Sequence, residues 1–164
     1  MNSLGINKDN LHRVQEHLNT LLSSYAVYNQ NLLSFHWHIR GISFFDLHQQ
    51  FENFYIDARI KIDEIAERIL TLDFKPLGSF SEYLSNSLIS EAQDLLEDKL
   101  MANTILENQL VLLRIMRTLL EEASSAKDEG TVDMIGGFIR ELEKQNWLLR
   151  TWLSKAKLKA PALN

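Results

Sequence analysis

The chain contains no cysteine, and only two prolines and six glycines occur among its 164 residues. The absence of cysteine excludes disulfide bonds, thiolate metal sites and a cysteine nucleophile, and it leaves the redox compartment open. Proline and glycine are the residues that most often interrupt helices, so their scarcity permits long ones. Hydrophobic residues make up 45% of the chain and charged residues 24%, which is the balance of a folded globular domain.

Signals for secretion and membrane insertion are also missing. The first ten residues have neither a basic start nor an apolar run, so they do not predict a signal peptide. The stretch 17–39 lacks Lys, Arg, Asp and Glu, but Asn, Gln, Ser and Thr interrupt it at every turn. A membrane span needs about 20 mostly apolar residues. We therefore expect a cytoplasmic protein with no membrane partner.

The net charge of −5 argues against nucleic-acid binding as the main task, because proteins that bind nucleic acids present clustered positive charge. Lys155, Lys157 and Lys159 form one local basic segment near the C-terminus. Such lysines can bind phosphates without sequence preference, but lysines in the last turn of a helix also offset its dipole. The sequence leaves both roles open.

The spacing of the apolar residues predicts an all-α protein. Apolar residues recur at intervals of three and four, which is the period of a helix with one buried face. The predicted long helices span about 9–37, 44–72, 90–126 and 131–157, and a short helix at 79–87 lies in the central connection. We expect a single domain over residues 1–164, with short tails at 1–8 and 158–164. Its fold class is a four-helix bundle whose central connection crosses the bundle if the topology is ferritin-like.

The second predicted helix carries a histidine and three carboxylates away from its apolar face. On a helical wheel with His48 at zero, Glu52 lies at about 40°, Asp63 at about 60° and Glu67 at about 100°. The apolar stripe occupies about −40° to −120°. The pairs His48/Glu52 and Asp63/Glu67 have the i,i+4 spacing that lets two side chains reach one ion. Imidazole and carboxylate ligands without sulfur suit Fe(II), Mn or Zn.

These two pairs are too far apart for one chain to close them on a single ion. His48 and Asp63 are separated by about 22 Å along the helix, at about 1.5 Å per residue. A two-fold axis would place one pair against the other pair of a second chain and would generate two equivalent sites. His36, at the end of the first helix, is a candidate further ligand near His48. The alternative is an ordinary solvated surface, on which Arg59, Lys61 and Arg68 are ion-pair partners of small energetic consequence.

The same residues closely resemble the Dps family, the mini-ferritins also described as DNA-binding proteins from starved cells. The resemblance covers nearly the whole chain, and its densest part lies between His36 and Glu67. The residues that carry it are His36-Trp37, Arg40-Gly41, Phe44-Phe45, Leu47-His48, Phe51-Glu52, Tyr55, Ile62-Asp63-Glu64 and Ala66-Glu67-Arg68-Ile69.

The resemblance implies a ferritin-like subunit that assembles into a dodecameric shell built from two-fold dimers. It implies a ferroxidase, with a di-iron site formed by His36, His48 and Glu52 of one subunit and by Asp63 and Glu67 of another. Fe(II) and hydrogen peroxide or oxygen would be its substrates, and ferric mineral stored in the cavity would protect the cell from oxidative stress. By the same resemblance, Asp128, Glu129 and Asp133 lie near a three-fold pore.

The chain departs from the family pattern in three places. Glu52 stands where many members have aspartate, and Asp73-Phe74 replaces a glycine pair that often follows the second helix. The N-terminal tail holds a single lysine, Lys8, whereas DNA binding in the family commonly uses a lysine-rich terminal extension. DNA is therefore an open partner.

Three competing interpretations follow from the sequence. A ferritin with its di-iron site inside one bundle would use Glu-x-x-His motifs, and none occurs in this chain. A DNA-compacting protector with minor metal chemistry is the alternative function, but the net charge and the full ligand set disfavour it. A helical interaction module without chemistry would make the ligand spacing a coincidence.

Overall fold

The computed structural model describes residues 4–93 and 97–157, and of residues 155–157 it describes only the backbone. A 3-10 turn at Lys8–Leu11 precedes five α-helices. These are α1 (His12–His38), α2 (Phe44–Thr71), α3 (Phe80–Asn86), α4 (Asp98–Ala126) and α5 (Glu129–Lys157). The four long helices form a bundle, and the connection with the short helix α3 joins its two halves. The predicted all-α bundle is confirmed.

Helix α1 is the centre of the bundle. It packs against α2 and α4 along its length and also contacts α3, whereas α2 and α5 meet each other only briefly. Its buried side chains include Leu18, Leu21, Tyr25, Tyr28 and Leu32, so the apolar face that the sequence predicted is the core face. No helix within the described ranges is long and apolar enough to cross a membrane.

Buried polar residues of α1 hold the central connection against the bundle. The Asn19 side chain accepts a hydrogen bond from the Leu77 backbone N–H at 2.9 Å, and Ser24 accepts one from the Leu88 backbone N–H at 3.1 Å. Buried backbone groups outside helices need such partners. Asn19 and Ser24, two of the polar residues that interrupt the uncharged stretch 17–39, therefore anchor the connection to α1.

The same kind of anchor explains why α4 begins later than predicted. The buried Asn31 side chain donates to the Ser90 backbone oxygen at 3.0 Å and accepts from the Ala92 backbone N–H at 2.8 Å. These bonds hold the backbone at 90–93 outside a helix, and α4 begins at Asp98 instead of about residue 90. Leu95 and Leu96, which the prediction assigned to this helix, lie outside the described residues.

A buried ion pair fixes the start of α5 to α2. Asp128 is fully buried and accepts hydrogen bonds from the Thr131 backbone N–H at 3.1 Å and from the Arg68 guanidinium at 2.5 Å. Arg68 also donates to the Thr131 hydroxyl at 3.0 Å. Asp128 therefore caps α5, and Arg68 is committed to this cap instead of to the acidic face of α2. Glu129 and Asp133 are exposed.

We expect Asp128→Ala to lower the free energy of unfolding by about 3 kcal/mol, because it removes a helix cap and leaves the half-buried Arg68 without its carboxylate. Glu143→Ala is the matched control, since it breaks the exposed pair with Arg117 and should cost less than about 0.5 kcal/mol. Urea denaturation at fixed protein concentration measures both. Equal losses in the two variants would contradict the buried cap.

Among the residues that the structure describes, two that are not glycine adopt the left-handed backbone conformation that favours glycine, Asp73 with φ 64° and Lys127 with φ 59°. Asp73 follows α2, at the position where the family that the sequence resembles often has glycine. Lys127 ends α4, and its backbone N–H bonds to the Ala123 and Ser124 carbonyls. Both positions close a helix, where a left-handed residue is the usual terminator.

Lys127→Gly should raise the free energy of unfolding by up to about 1 kcal/mol, because glycine has no Cβ to strain the left-handed conformation. Ser124→Gly is the control, since Ser124 lies inside the last turn of α4, where glycine is unfavourable. The thermal midpoints of the two variants should move in opposite directions, and a shift of the same sign in both would refute this assignment.

Candidate metal centre

The end of α1 and the start of α2 bring His36 and His48 face to face. Residues 39–43 reverse the chain between the two helices, and Gly41 takes the positive φ of 86° that this turn requires. The two imidazole rings are stacked, with 3.8 Å between their centroids and 20° between their planes. The sequence prediction that His36 lies near His48 is therefore confirmed.

Each histidine hydrogen-bonds the backbone of the other. His36 Nδ1 lies 2.9 Å from the His48 carbonyl oxygen, and His48 Nδ1 lies 2.9 Å from the His36 carbonyl oxygen. A carbonyl can only accept, so each Nδ1 carries the hydrogen and donates it. In the neutral ring, Nε2 then keeps its lone pair and is the atom that can bind a metal ion.

Aromatic side chains hold the two imidazoles from outside. Phe44 stacks on His48 with 4.8 Å between ring centroids, and Tyr55 presents its edge to His36 at 5.3 Å. Both histidines are half-buried. The orientation of the rings is therefore set by hydrogen bonds and packing within the chain, before any ligand binds.

Glu52 adds a carboxylate beside this histidine pair. The Tyr55 hydroxyl donates to Glu52 Oε1 at 3.2 Å, and the Gln49 side-chain amide donates to Glu52 Oε2 at 3.3 Å. Partial removal from water raises the pKa of Tyr55, and the hydrogen bond to Glu52 and its negative charge raise it further. The hydroxyl therefore stays protonated as a donor at neutral pH, and Tyr55 connects Glu52 to His36.

Asp63 and Glu67 lie apart from this group. Both are exposed on α2, further toward its C-terminal end. In the part of one chain that the structure describes, no three His, Asp or Glu side chains are placed to hold a metal ion together. The structure thus connects His36, His48 and Glu52 through Tyr55, and it does not bring Asp63 and Glu67 to them.

The face of α2 that carries Glu52, Asp63 and Glu67 also carries large apolar side chains, which are exposed in the isolated chain. Phe45 is 84% exposed, Ile56 is 48% exposed and Ile60 is 55% exposed. All three fall on the same side of the helical wheel as Glu52, Asp63 and Glu67. Exposed apolar side chains grouped on one helix face favour a contact with another molecule.

Two side chains of α2, Tyr55 and Lys61, have contacts that the sequence pattern did not reveal. Tyr55 entered the sequence prediction only as part of the resemblance, although its i,i+3 spacing from Glu52 predicts contact on a helix. Lys61 was treated as a surface cation, but it is buried and pairs with Asp57 and Glu141. The i,i+4 spacing of Asp57 and Lys61 was visible in the sequence, whereas the contact with Glu141 needs the packing of α2 near α5.

Comparisons with known proteins place this chain in a family. Residues 15–159 match the ferritin-like domain. A DNA protection during starvation protein of Porphyromonas gingivalis is 38% identical over 151 residues, which cover 92% of this chain and 95% of that protein. DNA protection during starvation protein 2 of Bacillus anthracis is 37% identical over 143 residues, which cover 87% of this chain and 98% of that protein.

A solved structure agrees. The Dps protein from Vibrio cholerae O1 superposes with a TM-score of 0.91 at 39% identity, covering 93% of this chain and 96% of that one. The chain belongs to the Dps family of ferritin-like proteins. The Vibrio cholerae Dps is described as a member of a broad superfamily of ferritin-like diiron-carboxylate proteins. The predicted Dps family membership and ferritin-like fold are confirmed.

We expect Tyr55→Phe to weaken divalent metal binding about tenfold, because it keeps the ring against His36 but removes the hydrogen bond that orients Glu52. Anaerobic titration with Co(II), followed by its visible absorption, measures the affinity. Tyr83→Phe is the control, since the Tyr83 hydroxyl bonds the Leu77 carbonyl at 3.2 Å, away from the histidine pair. Unchanged Co(II) affinity in Tyr55→Phe would show that Tyr55 does not orient Glu52.

Proposed function

We propose that this Dps protein oxidises Fe(II) at a site shared by two subunits and stores the ferric product inside a hollow homo-oligomer. The observation that carries the proposal is the reciprocal pair of hydrogen bonds between His36 and His48. It leaves two Nε2 lone pairs free, and Tyr55 links this histidine pair to Glu52, on a helix that also carries Asp63 and Glu67. Nitrogen and oxygen donors without sulfur suit Fe(II).

The two halves of the ligand set have different tasks in this proposal. His36, His48 and Glu52 bind Fe(II) on one subunit, and their hydrogen bonds to backbone carbonyls, Tyr55 and Gln49 keep the donor atoms in place. Asp63 and Glu67 of the facing subunit complete the site and supply negative charge, which favours the ferric product over Fe(II). Two Fe(II) ions give one electron each to hydrogen peroxide, which takes up two protons and leaves as two water molecules.

A second copy of the chain is the natural partner for this face. The separation of the two ligand pairs along α2 prevents one chain from closing the site, and the exposed Phe45, Ile56 and Ile60 supply apolar area for an isologous contact. We propose a dodecamer assembled from such two-fold dimers, located in the cytoplasm. Oxygen is the alternative oxidant to peroxide.

Mixing two inactive variants tests the shared site directly. One variant carries His36→Ala and His48→Ala, and the other carries Asp63→Ala and Glu67→Ala. Each alone should lose Fe(II) oxidation, measured by ultraviolet absorbance after adding peroxide under anaerobic conditions. A mixed dimer contains one site with both halves intact, so random co-assembly should restore about a quarter of the wild-type sites.

Size-exclusion chromatography confirms assembly of each variant before the rates are compared. A co-assembled mixture as inactive as its parents would place all ligands within one chain and would sink the shared-site proposal. Full activity in either single variant would remove its residues from the site.

Contact with DNA is the second candidate function, and the names of two relatives suggest it. The starvation proteins of Porphyromonas gingivalis and Bacillus anthracis are named for DNA protection. Removal of Fe(II) and peroxide would protect DNA without touching it, so the ferroxidase proposal needs no DNA surface. Lys155 and Lys157 lie in the last turn of α5, where only the backbone is described, and Lys159 lies outside the described residues. Binding through them would weaken steeply as salt rises.

A further inference from the structure

Lys61 is a buried cation that the proposed iron chemistry does not use. Only 2% of its side chain is exposed, and its ammonium lies 2.7 Å from Glu141 Oε2 on α5 and contacts the Asp57 carboxylate on α2. The ammonium also lies 5.2 Å from the centre of the Phe138 ring. We call this group of Asp57, Lys61 and Glu141 the seam cluster, because it joins α2 and α5 where the two helices meet.

The seam cluster and its neighbours contain more oxygen atoms that can bind a cation than one ammonium contacts. The second oxygen of Asp57 accepts a hydrogen bond from the Gln145 amide at 2.8 Å. The Gln145 side-chain oxygen and the nearby Tyr25 hydroxyl are both buried, and neither has a hydrogen-bond partner within the described parts of the chain. Burial raises the pKa of Tyr25, and the charges of Tyr28, Asp57 and Glu141 raise it further. The cluster is therefore a negative site with spare oxygen atoms.

Ions can reach the seam cluster from solvent. A groove of about 790 Å³ between α2 and α5 is lined by Asp57, Lys61 and Glu141 and extends past Glu64 and Asp133. The Asp57 and Glu141 side chains are 29% and 54% exposed, so a hydrated ion in the groove can contact both. Ferritin-like bundles hold metal ions with carboxylates from facing helices, and Asp57 and Glu141 likewise lie on two helices that meet.

We propose that the Lys61 ammonium occupies a cation site built by Asp57, Glu141 and Gln145, and that it thereby keeps divalent ions out of the bundle. Without the ammonium, the two carboxylates and the free Gln145 oxygen form an oxygen-rich site suited to a hard divalent ion such as Mn(II), with water completing the shell. Lys61 is in this account a specificity-determining residue, because it restricts divalent metal to sites outside the seam. This inference does not depend on the proposed ferroxidase activity.

Lys61→Ala tests the proposal by removing the ammonium and leaving room for a hydrated ion. The electron paramagnetic resonance signal measures free Mn(II), and its difference from the total gives the number of ions bound to the full-length assembled protein. We expect Lys61→Ala to bind one more Mn(II) per subunit than wild type. The melting temperature of Lys61→Ala should be higher with Mn(II) than without it. Lys61→Arg keeps a cation in place and is the matched control, which should gain no Mn(II).

A triple variant with Lys61→Ala, Asp57→Asn and Glu141→Gln identifies the ligands. It should lose the additional Mn(II), and retention of that ion would overturn the proposal. A folded Lys61→Ala protein that binds no additional Mn(II) would overturn it as well. If Lys61→Ala fails to fold, recovery of folding by Mn(II) supports the proposal. If Mn(II) does not restore folding of Lys61→Ala but the triple variant folds, the proposal is contradicted. Folding would then require only that the carboxylates be neutralised, and no ion would be bound.

Discussion

The reciprocal hydrogen bonds between His36 and His48 are the constraint on which the candidate metal centre depends. They join the last turn of α1 to the first turns of α2, and they fix the tautomer of both imidazoles at once. Packing of Phe44 and Tyr55 then holds the rings, so the donor atoms are oriented without a bound ion. A site prepared in this way loses little conformational freedom on binding, which favours affinity.

The proposed shared site also requires a second copy of the chain. The histidine end of α2 supplies nitrogen donors and one carboxylate, whereas its other end presents Asp63 and Glu67 to solvent among exposed apolar side chains. An isologous contact would bury those apolar groups and would complete two sites in one step. In this account, assembly and metal binding use the same surface.

Much of the fold could be predicted from the sequence, because apolar residues at intervals of three and four dominate each long helix. The start of α4 could not, since Asn31 holds the backbone at 90–93 through contacts that no local pattern reveals. The proximity of His36 to His48 was predicted, but the hydrogen bonds from each Nδ1 to a backbone carbonyl were not. Lys61 and Arg68 were assigned to the surface because their ion-pair partners Glu141 and Asp128 are distant in sequence.

The most direct test of the shared site is a crystal structure of the protein loaded anaerobically with Fe(II), with anomalous data collected on both sides of the iron absorption edge. The account predicts iron density between His36, His48 and Glu52 of one subunit and Asp63 and Glu67 of its two-fold partner, with the histidines bound through Nε2. Iron bound elsewhere, with His36 and His48 unliganded, would contradict it.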